Sequence, residues 1–97
     1  MREYETLLII RPQVDEERLK AIIEEVERII TGQDGTVNSC DVWGLRKLEY
    51  PIKREENGQY VVIKFKSGPQ VVKELERTVR MKDDILRAKT FACEKEK

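Results

Sequence analysis

Residues 36–66 read TVNSCDVWGLRKLEYPIKREENGQYVVIKFK, and their division into two β-rich runs decides the fold. Residues 36–50 are rich in β-branched and aromatic side chains but broken by Gly44, which predicts a long strand with a bend or bulge. Pro51 comes near its end. Glu55-Glu56-Asn57-Gly58 reads as a polar turn ending in the Asn-Gly pair that favours tight hairpins. Beyond it, residues 59–66 alternate Val61, Ile63 and Phe65 against Tyr60, Val62, Lys64 and Lys66, the period of a strand. The two runs therefore form an antiparallel hairpin.

A helix is predicted on each side of this hairpin. Upstream, Asp15 is placed as an N-cap, with Glu16 and Glu17 meeting the positive end of the helix dipole. Leu19, Ile22, Ile23, Val26, Ile29 and Ile30 follow at steps of three and four, one apolar stripe, until Gly32 and the turn material of residues 32–35. Downstream, Gly68-Pro69 opens a second helix whose stripe is Val72, Leu75 and Val79 and which ends near Met81. At the outer ends lie two more strands. Residues 4–10 carry apolar side chains on both sides of the alternation, as a central strand does, and Pro12 stops its ladder. Residues 85–93 alternate Ile85, Arg87, Lys89, Phe91 and Cys93 with Leu86, Ala88, Thr90 and Ala92, as a half-exposed strand does.

The order β-α-β-β-α-β predicts an α+β ferredoxin-like sandwich, a four-stranded antiparallel sheet with two helices on one face. The opposite face is then left to water or to a partner. With 97 residues and 39% hydrophobic content, residues 1–97 are expected to form a single domain with a short charged C-terminal tail at residues 94–97.

Nineteen Lys/Arg balance nineteen Asp/Glu, so no global field draws the chain to nucleic acid or membrane, and any RNA binding would have to be local. Residues 1–34 hold 5 basic and 9 acidic side chains and residues 35–97 hold 14 and 10, placing the basic excess in the later part. No apolar run approaches a membrane span, and a cytoplasmic protein without a membrane partner is expected. Cys40 and Cys93 are isolated and read as reduced structural thiols.

Residues 44–53, Gly-Leu-Arg-Lys-Leu-Glu-Tyr-Pro-Ile-Lys, resemble the signature of the bacterial small-subunit ribosomal protein number six family: a glycine and basic pair followed by L-x-Y-P-I. The opening Met1, Arg2, Tyr4 and Glu5, and Arg80, Asp83 and Arg87 near the end, are similar to the same family. The resemblance implies a ribosomal protein of translation that binds the central domain of small-subunit ribosomal RNA together with small-subunit ribosomal protein eighteen. It implies no catalysis, cofactor or small-molecule substrate. Glu49 departs from the small residue usual there, and Ala92-Cys93 stand where a basic residue often closes the last strand, which weakens an RNA contact at that end. The long acidic tail of some relatives has no counterpart here, so no tail-borne contact is carried over.

RNA contacts need cations for phosphates and aromatic faces for unstacked bases. Arg2 and Tyr4 combine the two, and adjacency of first and last strands is expected to set them beside Arg87 and Lys89. Tyr4 has a second reading as a core residue with its hydroxyl at the rim. Arg46, Lys47, Lys53 and Arg54 form the densest basic cluster, although charges on an edge strand also serve to block unwanted strand pairing. Trp43 reads first as core and second as a partner-binding residue, with Tyr60 and Val62 as an apolar patch for the partner on the open sheet. The chain has no histidine, no Gly-rich phosphate loop and no paired cysteines, so neither an enzyme nor a metal site is expected. The competing reading is a ferredoxin-like oligomerising or small-molecule-sensing module that uses the same open face.

Overall fold

The computed structural model describes residues 1–93; the charged tail expected at residues 94–97 lies outside them. The elements are β1 (Arg2–Ile10), α1 (Glu16–Thr31), β2 (Thr36–Ile52), β3 (Glu55–Ser67), α2 (Pro69–Arg80) and β4 (Ile85–Ala92). All ladders are antiparallel and the strand order is β2-β3-β1-β4, the ferredoxin-like arrangement expected from the element order.

Local chemistry accounts for the helices. The Asp15 carboxylate accepts from the Arg18 amide at 2.8 Å, closing the N-terminus of α1. Leu19, Ile22, Val26 and Ile30 are buried on one stripe, with Ile23 and Ile29 half-buried beside them. Helix α2 starts at Pro69 and buries Val71, Leu75 and Val79. Both stripes pack against Tyr4, Leu8 and Ile10 of β1 and Val61, Ile63 and Phe65 of β3 in one core, with Phe65 fully enclosed. Thr6 and Thr90 lie on that same side and satisfy each other through a 2.9 Å hydroxyl hydrogen bond, so burial of Thr6 costs little.

The hairpin turn is not at residues 55–58. Ile52 pairs with Glu55, leaving Lys53 and Arg54 as the two loop residues, at φ 49° and 71°. Positive φ at both positions is the primed geometry whose twist matches the strands. Asn57 and Gly58 instead pair with Lys47 and Arg46 inside the ladder. Residues 48–51 stand opposite Glu56 alone, a four-residue excursion that lets the hairpin tip curl over the sheet face the helices leave open. There Leu48 and Ile52 pack with Ile9, Leu86 and Tyr60 in a second, smaller core. The Arg11 guanidinium holds the Glu55 carboxylate at 3.2 Å, tying the tip to the end of β1.

Gly44 is the bend anticipated in β2. It has φ 91°, and the register shifts between Val42 and Gly44, so Trp43 is the extra residue of a bulge. A second shift, at Ile9/Ile10, lets Ile85 face the helices while Leu86 faces the open side, which simple alternation along β4 did not foresee.

Neither Lys53 nor Arg54 is suited to left-handed backbone, each carrying about 1 kcal/mol of strain there. The double substitution Lys53→Asn/Arg54→Gly should therefore raise unfolding free energy by roughly 1 kcal/mol in urea titration. A loss of stability would show that the two side chains make contacts that outweigh the strain.

Candidate nucleic-acid interface

Register decides which side chains share the open face. Leu7 pairs with Val62 and Lys89, and Ile9 with Tyr60 and Arg87, placing Arg87 and Lys89 on the face away from the helices. Arg2 and Tyr4 have the other parity. Tyr4 is buried at 8% exposure with its ring 5.5 Å from that of Phe65, so it presents no face to a base and the core reading holds. Arg2 pairs with Ser67, seven residues along β1 from Ile9, the partner of Arg87, a separation of about 24 Å at strand rise. The expected cluster of Arg2, Tyr4, Arg87 and Lys89 is therefore not formed: strand adjacency was right, but strand parity and position along the ladder separate the pairs.

The hairpin contributes more than expected. Trp43 is not in the core; it is half exposed and stacked on Tyr60, with ring centroids 6.3 Å apart and planes 4° from parallel. The Arg46 guanidinium lies 5.5 Å from the Trp43 ring centroid, within the range of a cation–π contact. Val62, by contrast, is 3% exposed and leaves almost nothing for a partner to touch, correcting its place in the expected patch. Lys47 and Arg54 are exposed, whereas Lys53 shares a cavity with Arg87 although 34 positions separate them.

Two residues outside the sequence-based candidates belong to this region. Tyr50, within the signature, accepts a 2.8 Å hydrogen bond from Arg87, whose guanidinium lies 5.9 Å from the Tyr50 ring centroid. Arg80, at the end of α2, lines the cavity that holds Lys53 and Arg87. Each was visible as a residue type, but the contact arises only from the curl of the hairpin tip. Ile9, Leu48, Ile52 and Tyr60 form an apolar floor beside Tyr50 and Arg87.

The thiols offer no nucleophile here. Both are free; partial burial pushes the Cys40 thiol up, and the charges of Glu27 and Asp41 add to it. For Cys93 burial again comes first, followed by the charge and the 3.8 Å hydrogen bond of Glu5. Protonated thiols react poorly.

A model of the family described as ribosomal protein S6 matches residues 3–92. The chain belongs to the ribosomal protein S6 family. It is 46% identical to the small ribosomal subunit protein bS6 of Clostridium novyi over 87 residues, covering 90% of this chain and 92% of the relative. It is 41% identical to that of Clostridium acetobutylicum over 95 residues, covering 98% and 100%. The crystal structure of 30S ribosomal protein S6 from Thermotoga maritima superposes with a TM-score of 0.89 at 36% identity, covering 95% of this chain and 87% of that one. The C-terminal domain of the MgtC protein from Mycobacterium tuberculosis, at 10% identity and TM-score 0.65 over 96% and 88%, shares the fold alone. As an S6 family member the chain is a protein of the small ribosomal subunit, located in the cytoplasmic ribosome, and not an enzyme.

Leu48 is buried where the hairpin tip meets the sheet. Leu48→Ala should cost about 2–3 kcal/mol in chemical denaturation and should speed hydrogen exchange selectively across residues 48–58. Exchange unchanged there would show that the tip is held by something other than this contact. The raised thiols predict alkylation by iodoacetamide at pH 8 well below the rate in the urea-unfolded chain. Because folding raises these pKa values, the stability they contribute is complete below the ordinary thiol range and falls as pH rises through the folded values; equal alkylation rates would refute the shift.

Proposed function

We propose that the chain binds the central domain of small-subunit ribosomal RNA as half of a unit completed by small-subunit ribosomal protein eighteen. The observation that carries this reading is the meeting of aromatic and cationic groups at the hairpin end of the open face, with Arg46 over the Trp43 ring and Arg87 over the Tyr50 ring. Trp43 stacked on Tyr60 beside a floor of Ile9, Leu48 and Ile52 suits a protein partner, since half-exposed aromatics over apolar ground are the usual centre of such contacts. Around it stand Arg46, Lys47, Lys53, Arg54, Arg87 and Lys89, the groups assigned to RNA phosphates.

Charge explains why the partner is needed. Net charge is zero, so the long-range electrostatic gain that drives most RNA binding is small, and acids such as Glu49 and Asp41 lie close by in the sequence. A neutral protein gains RNA affinity chiefly by fixing a few phosphate contacts in place while a second protein shares the work. Tyr4 takes no part in this interface because it is buried, and Arg2 is assigned to a separate contact at the far end of β1.

Titration of the chain into the central-domain RNA fragment, with and without the partner protein, tests the reading. Binding should be salt-sensitive and much tighter with the partner present. Trp43→Ala should weaken the three-component assembly roughly thirtyfold, the loss of a ~2 kcal/mol contact, while the melting temperature barely moves. Absence of RNA binding even with the partner would sink the proposal, and concentration-dependent self-association through the same face would favour an oligomerising module instead.

A further inference from the structure

Among the described residues, acids neutralise Arg11 through Glu55, Arg18 through Asp84 at 2.7 Å, Arg77 through Glu74 at 2.9 Å and Lys82 through Glu25 at 2.9 Å. Three others, drawn from three different elements, surround one cavity and are not. Lys53 of the β2–β3 turn, Arg80 of the last turn of α2 and Arg87 of β4 line a cavity of about 280 Å³, and among the described residues none of the three has an acid partner. Arg87 donates to the Tyr50 hydroxyl. Glu76, one helical turn before Arg80, is the only acid in the lining and pairs with none of them.

Lys53, Arg80 and Arg87 are all exposed at the rim of this cavity, so water softens their mutual repulsion, and the apolar wall of Val79, Ile85, Leu86 and Ala88 beside them supplies no acid to offset it. The end of α2 carries the negative end of the helix dipole, so an anion here is held by the side chains and not by the helix. Two guanidinium forks and one ammonium around a small cavity match the tetrahedral oxygens of a phosphate, which Arg engages in bidentate fashion. The wall is aliphatic and offers no ring for a base to stack on, so the site reads backbone and not sequence.

We propose that this cavity is a phosphodiester site, taking one phosphate of an RNA backbone between Lys53, Arg80 and Arg87. It rests on the RNA-binding reading above and adds to it a defined seat and a residue, Arg80, from outside the hairpin. Sequence-independent contact here would fix the register of the RNA on the protein while the aromatic stack serves the protein partner.

The test titrates the full chain, with its protein partner, into the central-domain RNA fragment at several salt concentrations. Arg80→Gln and Lys53→Gln should each weaken binding roughly tenfold and lower the magnitude of the salt slope by about 0.7–0.9, with the melting temperature nearly unchanged; Lys73→Gln, on the exposed side of α2, should do neither. Normal affinity and slope in Arg80→Gln, with RNA binding by the unmodified chain intact, would overturn the cavity assignment while leaving RNA binding itself in place. No binding by the unmodified chain would overturn both. Inorganic phosphate at matched ionic strength should fail to saturate the amide shifts of residues 79–88 at concentrations where RNA saturates them; saturation by phosphate alone would assign the cavity to a free anion and overturn the RNA source.

Discussion

The hairpin can lie over the open face only because residue 58 has no side chain. A Cβ there would sit 2.5 Å from Cγ2 of Ile9 and 3.5 Å from Cδ2 of Leu48, inside the space those side chains fill. With glycine, β3 runs tight against the end of β1, Leu48 drops onto Ile9, and the three extra residues of β2 swing the tip toward β4. Everything that gives the open face its chemistry follows from that approach: Tyr50 reaches Arg87, Lys53 reaches the end of α2, and Tyr60 is left with a free ring face for Trp43.

The closure has a thermodynamic side. A four-stranded sheet covered by helices on one side leaves the other to water, and apolar side chains there would gain nothing from folding. The second core of Ile9, Leu48 and Leu86 buries apolar surface against the hairpin instead, so the tip is held by packing together with the largely buried Arg11–Glu55 pair. A part of the molecule that is all loop and edge strand thereby becomes rigid enough to hold guanidinium groups in fixed positions, and preorganised donors bind without the ordering cost that flexible ones incur.

Much of this was legible in the residues. The cap at Asp15, the stripe of α1 and the bend at Gly44 are local features that tertiary packing had no cause to override, whereas α2 buries Val71 where Val72 was expected and leaves Val72 half-buried. The turn was misplaced because Asn57-Gly58 is the strongest short hairpin motif in the chain, yet its glycine serves a close approach and not a left-handed turn; the true loop, Lys53-Arg54, carries no such motif. Tyr4 and Trp43 exchanged their leading roles for a related reason. Alternation shows which residues share a face but not which face the helices cover, and a bulge at Trp43 resets the parity beyond it. Arg80 and Tyr50 were beyond reach, since their neighbours come from elements far away in the chain.

The position of β1 has a bearing on how the protein comes into being. It precedes the other three strands of the sheet in chain order and sits inside the sheet, between β3 and β4, so both of its ladders join residues roughly fifty to ninety positions apart. Such pairings are slow because loop closure is charged before the contacts form. During synthesis α1 and the β2–β3 hairpin can assemble locally, but the Thr6–Thr90 bond and the last ladder must wait for the final residues of β4 to emerge. The cavity at Arg87 is therefore among the last parts of the surface to be completed, and it takes shape only once the ladder of β4 has closed on β1.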